Sequence, residues 1–187
     1  VASPPPPAVR ISFSSDFLSY GVVGADGKAL LKGDGAAIFC EGRWWSVGDG
    51  LTLSSRRTSQ GDDGAARGGK WSGVTLTWRT GSGVVLVTVA KSYAGGDDVA
   101  FEWSVPGGAA GTSQAARSRD AVIVQWPAFT AQRLDGVLSW EGSFMGAKQD
   151  WSLGARGGPT VLYDGSDPSR GVALVGSPLG HWKASSA

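Results

Sequence analysis

From Val9 onward, apolar and polar positions alternate in short runs broken by glycine-rich turns. A period of two predicts β-strands, because successive side chains of a strand point to opposite faces. Val9 to Phe13 sets Val, Ile and Phe between Arg and Ser. Tyr20–Val23 and Lys28–Leu31 flank Ala25-Asp26-Gly27, and Asp-Gly predicts a hairpin with a type I′ turn. Ala36–Cys40 and Trp44–Val47 flank Glu41-Gly42-Arg43 as a second hairpin, and Leu51–Leu53 begins another strand. Residues 58–70 are rich in Gly and Asp and read as a long polar loop.

The pattern is sharpest after that loop. Val74, Leu76 and Trp78 alternate with Thr75, Thr77 and Arg79, and beyond Gly81-Ser82-Gly83 an almost continuous apolar run, Val84–Ala90, returns. Val99, Phe101, Trp103 and Val105 then alternate with Ala100, Glu102 and Ser104 until Pro106 ends the strand. Residues 107–120 form a second small-residue loop, and Gly111–Asp120 is the best helix candidate but lacks an apolar face. Ala121–Val124, Phe129, Leu138–Trp140, Thr160–Tyr163 and Gly171–Val175 continue the strand series. The expected fold is therefore all-β, an antiparallel β-sandwich or supersandwich with little or no helix. It occupies residues 9–187, after a proline-rich segment over residues 1–8 that reads as a tether or an unpinned start.

Composition narrows the function. The 187 residues suffice for one domain with a full core. A net charge of +1 with both signs scattered argues against a nucleic-acid partner, which calls for a basic stripe. No apolar run approaches the ~18 residues of a membrane span. Thirty glycines suit many tight turns, and nine tryptophans are either core wedges or platforms for sugars. The absence of Asn removes every N-glycosylation acceptor. The compartment stays open.

Candidate chemistry is sparse. One Cys and one His do not make a zinc site of the usual composition, and no metal or other cofactor is expected. His181 has no Gly-x-Ser-x-Gly elbow to serve, and the glycine-rich stretches lack the Lys-Ser/Thr of a phosphate loop. No catalytic residue is assigned within the chain. Asp164–Pro168 reads as a turn between strands, not a calcium loop. Glu102 reads as solvated and Cys40 as a small buried hydrophobe. Trp78 and Trp103 belong to the core by alternation. The Trp44-Trp45 doublet must place one ring on each face of its sheet. Trp140, Trp151 and Trp182 lie beside polar or glycine-rich residues. With Glu141 and Asp150 they form the candidate carbohydrate site, flat faces beside hydroxyl acceptors. The competing reading is that these indoles plug the sandwich ends or pack on a neighbouring domain.

Several segments resemble a known family. These are Phe101-Glu102-Trp103-Ser104-Val105 before Pro106-Gly107, Trp126-Pro127-Ala128-Phe129, and Gly136-Val137-Leu138-Ser139-Trp140-Glu141-Gly142. Gly157–Asp164 and Ser177-Pro178-Leu179 follow. Across residues 70–183 their order and spacing are similar to the N-terminal domains of raffinose-synthase-like and α-galactosidase-like glycoside hydrolases. The resemblance implies a supersandwich followed, in the same polypeptide, by a (β/α)₈ barrel that holds the catalytic aspartates and takes a galactoside-type sugar. It also implies that a loop near Trp140-Glu141 and Asp150-Trp151 reaches the mouth of that site. Two other readings stay open, a stand-alone carbohydrate-binding module or lectin, and a structural or assembly sandwich.

Overall fold

The computed structural model describes residues 9–64, 69–94, 98–112, 123–131, 136–141, 144–147, 160–164 and 167–174. Fifteen strands and no helix occur among them. The first sheet has the order β1-β2-β3-β11: Val9–Phe13, Ser19–Gly24, Ala29–Asp34 and Phe129–Ala131. The second has the order β10-β4-β5-β6-β7-β8-β9. Its strands are β10 (Val124–Gln125), β4 (Ala37–Cys40), β5 (Arg43–Val47), β6 (Gly50–Asp62), β7 (Lys70–Thr80), β8 (Val85–Tyr93) and β9 (Val99–Ser104). A third sheet, order β13-β12-β14-β15, comprises Phe144–Ala147, Gly136–Glu141, Thr160–Asp164 and Asp167–Leu174. All pairings are antiparallel except a short parallel contact, Ser46↔Gly50 and Val47↔Leu51, around the Gly48-Asp49 bend.

The first two sheets pack face to face as a β-sandwich. Leu76 and Trp78 of β7, Leu86 and Ala90 of β8, and Ile38 and Cys40 of β4 are buried in one core with Tyr20 of β2 and Trp126. Burying side chains of this size contributes roughly 1.5–3 kcal/mol each. Trp78 is fully buried because its indole N–H donates to Thr88 Oγ1 at 2.9 Å, which leaves no orphan donor. Tyr20 sits at the junction of the sheets. Its ring lies 4.5 Å from Trp126, 5.8 Å from Phe129 and 6.1 Å from Phe101, centroid to centroid. Its hydroxyl accepts the Ala128 N–H at 2.8 Å. Burial pushes the Tyr20 phenol far above its ordinary range.

Two local expectations change, and one holds. The Ala25-Asp26-Gly27 turn is not type I′, since only Gly27 has positive φ. Gly27 N donates to Gly24 O and Gly24 N to Lys28 O, and a bulge follows between Val22 and Val23. The Asp26 carboxylate accepts the Lys28 N–H, which closes the loop locally. The Glu41-Gly42 turn is the one with two positive φ values, 54° and 76°, as a type I′ turn requires. The first part of the polar stretch, residues 58–62, is strand. β6 runs on to Asp62 and pairs with β7 from Gln60↔Ser72 to Asp62↔Lys70. Backbone pairing with β7 holds it straight, although its side chains there are polar on both faces.

Candidate functional site

The tryptophans divide as alternation requires. Trp78 is in the core, and Trp103 packs against it. In the doublet, Trp45 packs toward the core and lies against Gly50 and Gly81, with the Arg43 guanidinium over its ring at 4.3 Å. Trp44 faces the other way, 37% exposed, edge-on to Phe39. Trp126, one of the family-like residues, is a core aromatic.

The predicted sugar residues are only partly placed. Trp140 and Glu141 end β12, in register with Met145 and Phe144 of β13. Asp150, Trp151 and Trp182 lie outside the described residues, as does His181. Asp164 and Asp167 are in register at the adjoining ends of β14 and β15, and residues 165–166 lie outside the described residues. Cys40 is buried, and burial pushes its thiol up.

Two polar constellations on the second sheet were not legible in sequence. The first lies on its outer face. Lys91 Nζ, its side chain only 9% exposed, is 2.9 Å from Asp63 Oδ2 and 2.6 Å from Glu102 Oε1. It also sits over the Trp71 ring at 4.7 Å. Tyr93 O–H donates to Asp63 Oδ2 and Trp71 Nε1–H to Asp63 Oδ1, both at 2.9 Å. Glu102 is thus ion-paired and not merely solvated. The Lys91 hydrogen bond, aided by those from Tyr93 and Trp71, holds the Asp63 carboxyl below its ordinary range against the opposing effect of desolvation. Burial alone would push Lys91 down, but its bonds to Glu102 and Asp63 outweigh that and raise it. Burial and the Asp63 acceptor raise Tyr93. The ring of Trp71 is covered on one side by Lys91 and rests against Gly61, where a Cβ would strike it. The cluster is closed on itself. Its ion pairs clamp the end of β6 to β8 and β9, while the Glu102 side chain stays 43% exposed.

The second constellation is an open groove of about 650 Å³ on the inner face, where the first sheet stops short of the far ends of β6, β7 and β8. Ile11 and Phe13 of β1 form one wall, and Val74 and Ala90 contribute apolar floor. Thr58, Gln60 and Ser72 face it from β6 and β7, since Thr58 pairs with Val74 and Gln60 with Ser72 on the inward face. Ser92 Oγ accepts the Ile11 N–H at 3.1 Å.

Among the described residues no group of three His, Cys, Asp or Glu side chains is placed to hold a metal ion. No described helix is long and apolar enough to cross a membrane. No protein family, curated protein or solved structure matches the chain. The class that the fold defines is an all-β sandwich.

Proposed function

We propose that this chain is a non-catalytic N-terminal β-sandwich of a carbohydrate-active enzyme of the α-galactosidase and raffinose-synthase kind. In this reading it supports, and helps to line, the galactoside site of a following barrel. The observation that carries the proposal is the placement of the family-like segments. They fall in chain order on β9, on the buried Trp126 and β11, on β12 and on β14 of an all-β architecture, with β12 and β14 directly paired.

The test is enzymatic. The polypeptide encoded by the native transcript is expected to hydrolyse or transfer α-galactosides. Replacing Trp140 and Trp151 by Ala is expected to lower kcat/KM, and the 187-residue chain alone is expected to turn over nothing. A native polypeptide without glycoside chemistry overturns the proposal. Unchanged kinetics in the double variant removes the role of those residues at the site. The exposed Trp44 beside Phe39 favours a second reading, a free-standing carbohydrate-binding module, which requires sugar binding by a protein with no barrel.

A further inference from the structure

We propose that the groove between β1 and the far ends of β6, β7 and β8 is a binding site for a neutral saccharide. This deepens the reading above and rests on it for the choice of a galactoside probe. The groove has the size of small-molecule sites, which are clefts of about 300–1,000 Å³. The lining side chains that pairing sets on the inward face are uncharged. Thr58 and Ser72 present hydroxyls, and Gln60 presents an amide that both donates and accepts. None of these three side chains has a hydrogen-bond partner among the described residues.

Arg57 also lines the groove, and neither nearby guanidinium is directed into it by its strand pairing or its contacts. Arg57 pairs with Thr75, which sets its side chain on the opposite face of the sheet. Arg56 is held over the Phe17 ring at 4.6 Å and donates to the Ser15 carbonyl. Free neutral donors and acceptors around an apolar floor, with an aromatic wall at Phe13, match a sugar, whose faces are apolar and whose rim is hydroxylated.

An extended peptide is the main rival, because β1 is the outer strand of its sheet. The geometry disfavours it. Alternate residues of a strand direct both backbone groups to one side, so Ile11 is a residue whose N–H a docking strand would need. That N–H already donates to Ser92 Oγ. The edge is therefore occupied at its centre, at the N–H a docking strand would need there.

The experiment is an NMR titration of the 187-residue chain with raffinose, with galacturonate as a charged control. Saturable shifts at Thr58, Gln60, Ser72 and Ser92 are expected. The paired change Thr58→Val and Ser72→Val keeps strand shape and is expected to weaken binding about tenfold, the effect of losing two neutral hydrogen bonds. Thr75→Val on the outer face is expected to leave affinity unchanged and serves as the folding control. The site is overturned by absence of saturable shifts, by equal affinity in the paired variant, or by tighter binding of galacturonate. Shifts produced only by an extended peptide also overturn it. Failure here alongside α-galactoside chemistry in the native polypeptide removes the groove and leaves the accessory reading intact. Binding here by a native polypeptide without that chemistry does the reverse.

Discussion

Replacing Thr88 by valine keeps the side-chain shape and removes the acceptor of the Trp78 indole. A fully buried N–H then has no partner, and such an orphan costs about 1–3 kcal/mol. Urea denaturation should report a loss of that size, and an unchanged midpoint would refute the role given to the bond. Ser59 is the converse case. Its hydroxyl is buried without a partner among the described residues, so Ser59→Ala is expected to leave stability unchanged or raise it slightly. Neither outcome follows from residue type. Thr88 sits in a run of valines and reads as one more strand former, while Ser59 reads as a loop residue. Only the neighbours that the fold supplies separate a satisfied hydroxyl from an orphaned one.

At the scale of elements, the clamp around Lys91 ties the polar end of β6 to β8 and β9. Lys91→Met keeps the length of the stem and removes the charge that Asp63 and Glu102 share. The expected cost is about 1–2 kcal/mol, between that of an exposed pair and a buried one. Hydrogen exchange should accelerate first at residues 61–64 and 70–73, where β6 meets β7. Acceleration spread evenly over the sandwich would contradict a local clamp. The same cluster sets a pH window. Asp63 is held below its usual 3.8, so its contribution is complete above that value and is lost as pH falls through the folded pKa. Lys91 is held above its usual 10.5, so its contribution is complete below that value and is lost as pH rises through the folded pKa. The contribution of the Asp63–Lys91 pair should be flat between these limits, and the Lys91→Met variant should have a shallower acid limb.

Gly33 shows how tightly the first sheet closes. A Cβ there would run into the Tyr20 ring and the Ala128 carbonyl. Gly33→Ala therefore pushes apart β2, β3 and the segment leading to β11, and overpacking of this kind costs about 1–3 kcal/mol. Near-ultraviolet circular dichroism should register the loss through Tyr20 and Trp126. An unaltered spectrum and melting curve would show that the contact yields easily. The glycine-rich chain announces many turns, but it does not mark Gly33, which is mid-strand and has ordinary φ. Its requirement comes from a ring contributed thirteen residues earlier and a carbonyl from a distant segment.

For the whole molecule, the dominant fact is the division of labour between the two faces of the seven-stranded sheet. The inner face carries Leu76, Trp78 and Leu86 under the first sheet and the uncharged groove beyond its edge. The outer face carries the ionic clamp and, at the β4–β5 end, the exposed Trp44.

What the sequence determined by itself was local. Alternation at Val74–Trp78 and Val99–Trp103 set the strands and their inward residues, because a strand has a period of two whatever it pairs with. Glycines and Asp-Gly or Glu-Gly steps set where the chain reverses, because few other residues tolerate positive φ. The Trp44-Trp45 doublet had to split between faces for the same reason. Tertiary structure decided the rest. It turned residues 58–62 of the polar stretch into strand, since ladder hydrogen bonds from β7 outweigh a weak local preference. It brought Asp63, just past the end of β6, together with Lys91 of β8 and Glu102 of β9, and it set β1 far enough from β6 to leave a groove. Such arrangements depend on register and sheet packing between distant segments, which no local pattern encodes.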